Sequence, residues 1–341
     1  MTRRVFGMTS LLGASLGVAL LLGGYSALFS VPHKDWTEKK ILIPEGATFQ
    51  DAARLLRQEG AISREWGFIF LGKLTLAERK IHAGEYLLNS RMNTLDILRH
   101  FRDGKVLNHR VVIREGATLR EIGKTLEAEG LAYYESFESL THDPDFVASL
   151  GVQGESLEGY LYPDTYFLFK GQRLENILRG MVSRFQKVYT AEMDARAQEM
   201  GMTRKEVVTL ASIIEKEAVV PQDRSLISAV FHNRMRKGIP LQSDPTVIYA
   251  LGERFNGDLK RVHLRIQSPY NTYNRKGLPP GPIASPGLPS LRAALHPADE
   301  DIYYFVSRND GTHHFSKTIK EHNKAVLIYQ KPKKSSSASR G

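Results

Sequence analysis

The chain has 341 residues, 42% of them hydrophobic, which is enough for two or three modest domains with real cores. It has no cysteine, which excludes disulfide frameworks, thiolate nucleophiles, cysteine zinc sites and a lipidated cysteine. Its 47 Lys and Arg against 37 Asp and Glu give a formal charge of +10, but no nucleic-acid motif is present and the basic residues are scattered, so nucleic acid is not an expected partner.

That charge suits either an anionic membrane surface or cell wall, or solubility alone. At the N-terminus, Arg3 and Arg4 precede a stretch from Val5 to Pro32 without a charged residue. A spanning helix needs about 20 apolar residues, whereas the apolar part of a signal peptide has about 7 to 15. The small residues Ser26 and Ala27 resemble a cleavage site, but the length favours an uncleaved anchor. We expect residues 1–6 to be cytoplasmic, 7–30 to span the cytoplasmic (inner) membrane once and 31–40 to form a linker. The two arginines would hold the N-terminus inside and send the rest of the chain to the extracytoplasmic, periplasmic side.

An internal repeat follows. "ILIPEGATFQDAARLLRQEGAI" from Ile41 and "VVIREGATLREIGKTLEAEGLA" from Val111 share "EGAT" and a later Glu-Gly. Each copy reads as a strand, a turn, and a helix that Thr48 or Thr118 caps and Gly60 or Gly130 ends. Two copies are too few for a solenoid and predict tandem α+β lobes, residues 41–108 and 109–153. A further helix from about Asn93 completes the first. Such βα units resemble the LysM module, a glycan-binding fold; the alternative is a spacer that sets distance from the membrane.

From Glu158 onward, loops dense in Tyr, Asn, Pro and Gly alternate with amphipathic helices, the texture in which sites sit. Tyr160, Tyr162, Tyr166, Tyr270 and Tyr273 are either aromatic faces for sugar rings or packing residues with satisfied hydroxyls. In "LASIIEKEAVV", a helix laid out at about 100° per residue puts Val207, Leu210, Ala211, Ile214 and Ala218 on one core stripe. Glu215 and Glu217 lie about 80° to either side, and Lys216 points outward. Glu215 has Val208, Ala211 and Val219 as helical neighbours and no cation at i±3 or i±4. Partial desolvation there favours the protonated form, which a general acid requires. Glu217 is the weaker candidate, since its shoulder could hold a structural ion pair, for example with Arg224.

The ordered set "EGYLYPDTY", "ASIIEKE", "LQSDPTVIYALG", "YNTY…GLPPGPIASPG" and "HHFS" resembles the MltG/YceG-like family of endolytic murein transglycosylases, membrane-anchored enzymes that cut peptidoglycan glycan strands. The resemblance covers most of the chain. It implies an α+β fold with a LysM-like subdomain ahead of a catalytic domain at 154–330, and Glu215 as the catalytic glutamate; the Ser- and Lys-rich residues 331–341, with nothing to bury, are expected as a disordered basic tail. It also implies cleavage of the MurNAc–GlcNAc bond within strands, with a part in terminating nascent ones, and peptidoglycan synthases as a candidate partner class.

A water-using muramidase needs two carboxylates. No second one in this half matches Glu215, because Asp244, before Pro245 and an apolar helix, reads as an N-cap. A lytic transglycosylase manages with one, since the C6 hydroxyl of the same muramyl sugar attacks the anomeric carbon and leaves a 1,6-anhydromuramyl end. Asn233, Gln242, Asn271 and Tyr273 are the expected polar contacts to sugar. His313 and His314, adjacent on a strand after "NDG", face opposite sides, which argues against a two-histidine metal site; no metal or organic cofactor is expected. The competing functions are a tethered wall-binding scaffold without activity and a hydrolytic muramidase.

Overall fold

A computed structural model describes residues 35–79 and 82–330. The expected membrane span at 7–30, the first part of the linker and the basic tail lie outside the described residues. The fold is mixed α+β, and two compact units divide it. The first comprises the described residues up to Val111 with Glu129–Leu131 and Tyr166–Asn176. The second comprises Val112–Ala128, Ala132–Thr165 and the chain from Ile177 on. Residues 109–153, expected as a lobe of their own, therefore fall mostly in the second unit.

In the first unit, β1 (Glu38–Ile43) pairs antiparallel with β2 (Gly84–Asn89), in a register running from Glu38 opposite Asn89 to Ile43 opposite Gly84. Strand alternation turns Ile41 and Ile43 of β1 and Tyr86 and Leu88 of β2 into the core. There they meet Leu56 of α1 (Phe49–Gln58), Phe68 of α2 (Glu65–Leu74) and Phe101 of α3 (Thr94–Arg102). The Tyr86 and Phe101 rings lie 4.3 Å apart, and the Tyr86 hydroxyl donates to the His82 carbonyl at 2.6 Å, so a buried phenol is satisfied. Thr48 caps α1 in a reciprocal box with Asp51, and Gly60 follows at φ +69°, a left-handed turn that glycine adopts without cost. β3 (His109–Val112) pairs with β4 (Thr165–Leu168).

The second unit holds the other repeat helix, α4 (Leu119–Ala128), with Thr118 bonded to Glu121 at its start. It continues through α5 (Tyr134–Thr141), α6 (Pro144–Ser149), α7 (Leu174–Val188, in this unit from Ile177) and α8 (Ala191–Glu199) to α9 (Arg204–Glu217), α10 (Arg224–Lys237), α11 (Asp244–Leu251) and α12 (Leu288–Leu295). The hairpin of β5 (Tyr304–Ser307) and β6 (His313–Ser316) and helix α13 (Ile319–Tyr329) follow.

Helix α9 differs from its sequence pattern. Every residue from Val207 to Ile214 is buried, not one stripe, because α8, α10, α11 and α12 all pack against it. Its polar members still pair: the Thr209 hydroxyl donates to the Lys205 carbonyl at 2.7 Å, and Ser212 Oγ accepts the Ile283 amide at 3.0 Å. A helix held on all sides is a rigid mount for what its last turn carries.

Candidate active site

Glu215 stands in the last turn of α9, its side chain only 7% exposed. Its helical neighbours supply no cation, but the tertiary fold does. After Ala218 the chain turns through a 3-10 segment, Pro221–Asp223, and brings Arg224 back. One Arg224 Nη sits 3.4 Å from Glu215 Oε1, while its Nε donates to Ser290 Oγ at 3.1 Å. The Gly287 amide donates to Glu215 Oε2 at 3.0 Å. Each carboxyl oxygen thus has one partner and keeps one acceptor position. The ion pair considered for Glu217 and Arg224 is corrected: Arg224 belongs to the Glu215 shoulder.

The Glu217 carboxyl instead accepts the Ser243 hydroxyl at 2.5 Å on Oε1. Burial, helped by the Asp244 charge and opposed by that hydrogen bond, pushes its pKa up to about 7. The Asp244 reading is also corrected. The cap residue is Ser243, α11 begins at Asp244, and Asp244 Oδ1 accepts the Tyr273 hydroxyl at 2.6 Å. An acid in the first turn still complements the helix dipole.

Sequence reasoning missed Glu115, the glutamate of the second "EGAT". Gly287 is packed so closely against it that a Cβ there would lie 2.0 Å from Glu115 Oε1, and a Cβ on Gly116 would lie 3.7 Å from Glu215 Cγ. With the Gly287 amide bond, this places the Glu115 and Glu215 carboxyl groups within about 7.5 Å of each other. Glu115 is exposed overall, and the partial desolvation of its carboxyl chiefly, then the charge of Glu215, raise its pKa, while Arg224 opposes the rise. The first-copy counterpart, Glu45, does something else: it accepts the Arg173 amide at 2.7 Å and Asn176 Nδ2 at 2.6 Å. Because the two copies look alike in sequence, only long-range packing distinguishes them.

A groove of 770 Å3 runs beside the end of α9, walled by Lys216, Glu158, Tyr249, Pro245, Ile248 and Arg120, among others. Glu158, 4% exposed, accepts the Leu119 amide at 3.1 Å and the Tyr249 hydroxyl at 3.2 Å, yet burial lifts its pKa to about 7. Folding therefore disfavours ionised Glu158. Both states are neutral well below pH 4.5. Between pH 4.5 and 7 only the unfolded chain ionises, and stability falls by roughly 3 kcal/mol, a loss that persists above pH 7. Unfolding melts from pH 4 to 9 should show Glu158→Gln gaining on the native protein across that window and nowhere else; parallel curves would contradict the burial.

Two of the expected sugar contacts are occupied by the fold. Asn233 is buried, its Nδ2 donating to the Glu300 and Ile302 carbonyls, both at 2.8 Å, and its Oδ1 contacting Arg236. Asn271, fully buried, donates to the Leu264 and Ile266 carbonyls at 3.0 and 2.9 Å and accepts the Tyr273 amide at 3.0 Å. In this structure both fasten loops. Asn233→Ala, which takes the donor from the buried Ile302 carbonyl and the half-buried Glu300 carbonyl, should cost about 2 kcal/mol in unfolding experiments, with kcat per folded molecule unchanged; a raised KM at unaltered stability would restore the sugar-contact role. Gln242 is exposed, although its Oε1 accepts Arg234 at 3.1 Å, and Tyr273 is half-buried. Tyr160 and Tyr162 are buried, Tyr160 edge-on to Phe185 at 5.2 Å. Tyr270 packs on Tyr249 at 4.9 Å. His313 Nδ1 pairs with Asp223 at 2.8 Å while His314 lies against Tyr329, on opposite sides of β6.

The sequence model of the YceG-like family matches residues 41–327. A Bacillus subtilis (strain 168) protein named endolytic murein transglycosylase is 34% identical over 327 residues, covering 90% of this chain and 89% of that protein. A Streptococcus pneumoniae (D39) protein of the same name is 28% identical; the match covers 90% of this chain and 62% of that longer protein. A crystal structure of a yceG-like protein from Listeria monocytogenes superposes with a TM-score of 0.58 at 35% identity, covering 84% of this chain and 98% of that one.

Proposed function

Because this chain belongs to the YceG-like family, and because its rigid α9 presents a carboxyl at the place the family motif marks, we propose that it is an endolytic murein transglycosylase with Glu215 as its acid and base. Its substrate is the glycan strand of peptidoglycan. Glu215 protonates the glycosidic oxygen as the bond to the anomeric carbon breaks. The resulting carboxylate then takes the proton of the C6 hydroxyl as that oxygen bonds to the same carbon. Atoms and charge balance without water, and the new end is 1,6-anhydromuramyl. Arg224 and the Gly287 amide orient the carboxyl. Gln242 and Tyr273 remain candidates for sugar contact.

The observation that carries this reading is the family match across nearly the whole described chain, with "EKE" at the end of a buried helix. Two further features belong to it. The uncharged run from Val5 to Pro32 anchors the protein in the cytoplasmic membrane, with both units on the far side. The first unit acts as a LysM-like glycan holder or a spacer, and synthases that make the strands are the partner class. Purified uncross-linked strands incubated with the full-length protein should shorten to mid-length fragments before any small product accumulates. Strands that bind but keep their length would leave a wall-binding scaffold as the function.

One observation favours a second reading. Two-carboxylate glycosidases hold their groups no more than about 9.5 Å apart, and the Glu115 and Glu215 carboxyl groups lie under that limit. Glu115 is exposed and thus open to a water molecule, which is what a hydrolytic muramidase would need.

A further inference from the structure

Helix α2, "EWGFIFLGKL", carries large apolar side chains around its circumference between the charged residues Glu65 and Lys73. Only one side of it is covered. Gly67, Phe68, Leu71 and Gly72 enter the core of the first unit, where Phe68 stacks on Phe49 with ring centres 5.0 Å apart. The other side carries Trp66, Phe70 and Leu74, four residues apart and therefore in one row, with exposures of 52%, 54% and 71%. Leu76 extends the row at 59% exposed, from a backbone at φ +55° that leucine rarely adopts. Exposed Arg64, Glu65 and Lys73 accompany these side chains.

Something apolar must cover four large side chains in so short a segment. The chain itself indicates what. Five residues, 33–37, separate the uncharged run that ends at Pro32 from β1 at Glu38, so the start of this unit lies within about 20 Å of the end of that run. If the run spans the bilayer, the membrane surface is always present at very high effective concentration, which no diffusing partner matches. Trp, Phe and Leu with flanking Arg and Lys is also the composition of interfacial surfaces: the rings settle among headgroups and the cations face anionic lipid.

We propose that the outer face of α2, formed by Trp66, Phe70, Leu74 and Leu76, inserts into the interfacial layer of the anionic bilayer, so that the first unit lies on the membrane. This rests on the anchor reading above. The chain has two tryptophans, and the other, Trp36, packs against the core of the unit, so Trp36→Phe leaves Trp66 as the reporter.

The full-length Trp36→Phe protein would be reconstituted into phosphatidylcholine–phosphatidylglycerol vesicles carrying bromine either near the headgroup or deep in the acyl chains. We expect a loss of about half or more of Trp66 emission with shallow bromine and much less with deep bromine. Flotation of the same vesicles reports the anchor independently. Protein that floats while Trp66 emission is unaffected by bromine would overturn the proposal and leave the anchor standing. A blue shift that grows with protein concentration and ignores bromine would overturn it in favour of a second copy of the chain. Protein that fails to float would overturn the anchor, and with it the reason for choosing the bilayer. Should Trp36→Phe fail to fold, the difference between the native protein and Trp66→Phe isolates the same signal, since Trp66 is exposed.

Discussion

Glu215→Gln should lower kcat on glycan strands by roughly 10²- to 10⁴-fold or more, the range for removing a positioned acid and base. The amide cannot donate a proton to the leaving oxygen and take one back. It keeps one oxygen for either Arg224 or the Gly287 amide, so the cost in stability should stay below about 2 kcal/mol. A rate loss that greatly exceeds any loss of folded protein is what separates a chemical role from a structural one. Glu217→Gln is the matched control, since its partner Ser243 remains and tenfold or less should be lost. The reverse outcome, with Glu217→Gln inactive and Glu215→Gln active, would move the acid to the opposite shoulder, where burial already holds a carboxyl at about 7.

The second large effect belongs to Arg224. Its side chain, 14% exposed, carries the cation beside the Glu215 carboxyl and also holds Ser290 at the start of α12. Arg224→Met leaves a nearly buried carboxylate without its counter-charge, which should cost about 3 kcal/mol. Much of that cost is the charge left behind. In a Glu215→Gln background the same substitution should therefore cost about half as much or less, and a double-mutant cycle by chemical denaturation reads the coupling directly. Additive effects would mean that the two side chains do not interact.

Local chemistry was legible in the chain. The repeat's caps at Thr48 and Thr118 and its stops at Gly60 and Gly130 are set by residues within a few positions, and the structure has all four. The placement of Glu215 in the last turn of a helix that enters the core was legible for the same reason. What failed was long-range. No periodicity reveals that Arg224 returns to Glu215, or that Glu115, a hundred positions earlier, closes on Gly287. Helix α9 read as having one buried stripe, yet Thr209 and Ser212 off that stripe meet their hydrogen bonds inside the fold and are buried too. Asn233 and Asn271 looked like sugar contacts because an asparagine that fastens a loop and one that greets a ligand are the same letter. Their amides are already engaged by main-chain carbonyls.

Glu115 brings a second carboxyl group close to Glu215, whereas the family motif points to attack by the sugar's own hydroxyl. Digestion of purified glycan strands by the full-length protein in heavy-oxygen water, followed by mass spectrometry, decides between the two. A transglycosylase incorporates no label and leaves muramyl ends lighter by one water than their hydrolytic counterparts. We expect those anhydro ends to dominate, and to disappear with Glu215→Gln. Labelled reducing ends as the main product would contradict the one-carboxylate mechanism and make Glu115 the second catalytic carboxylate to test.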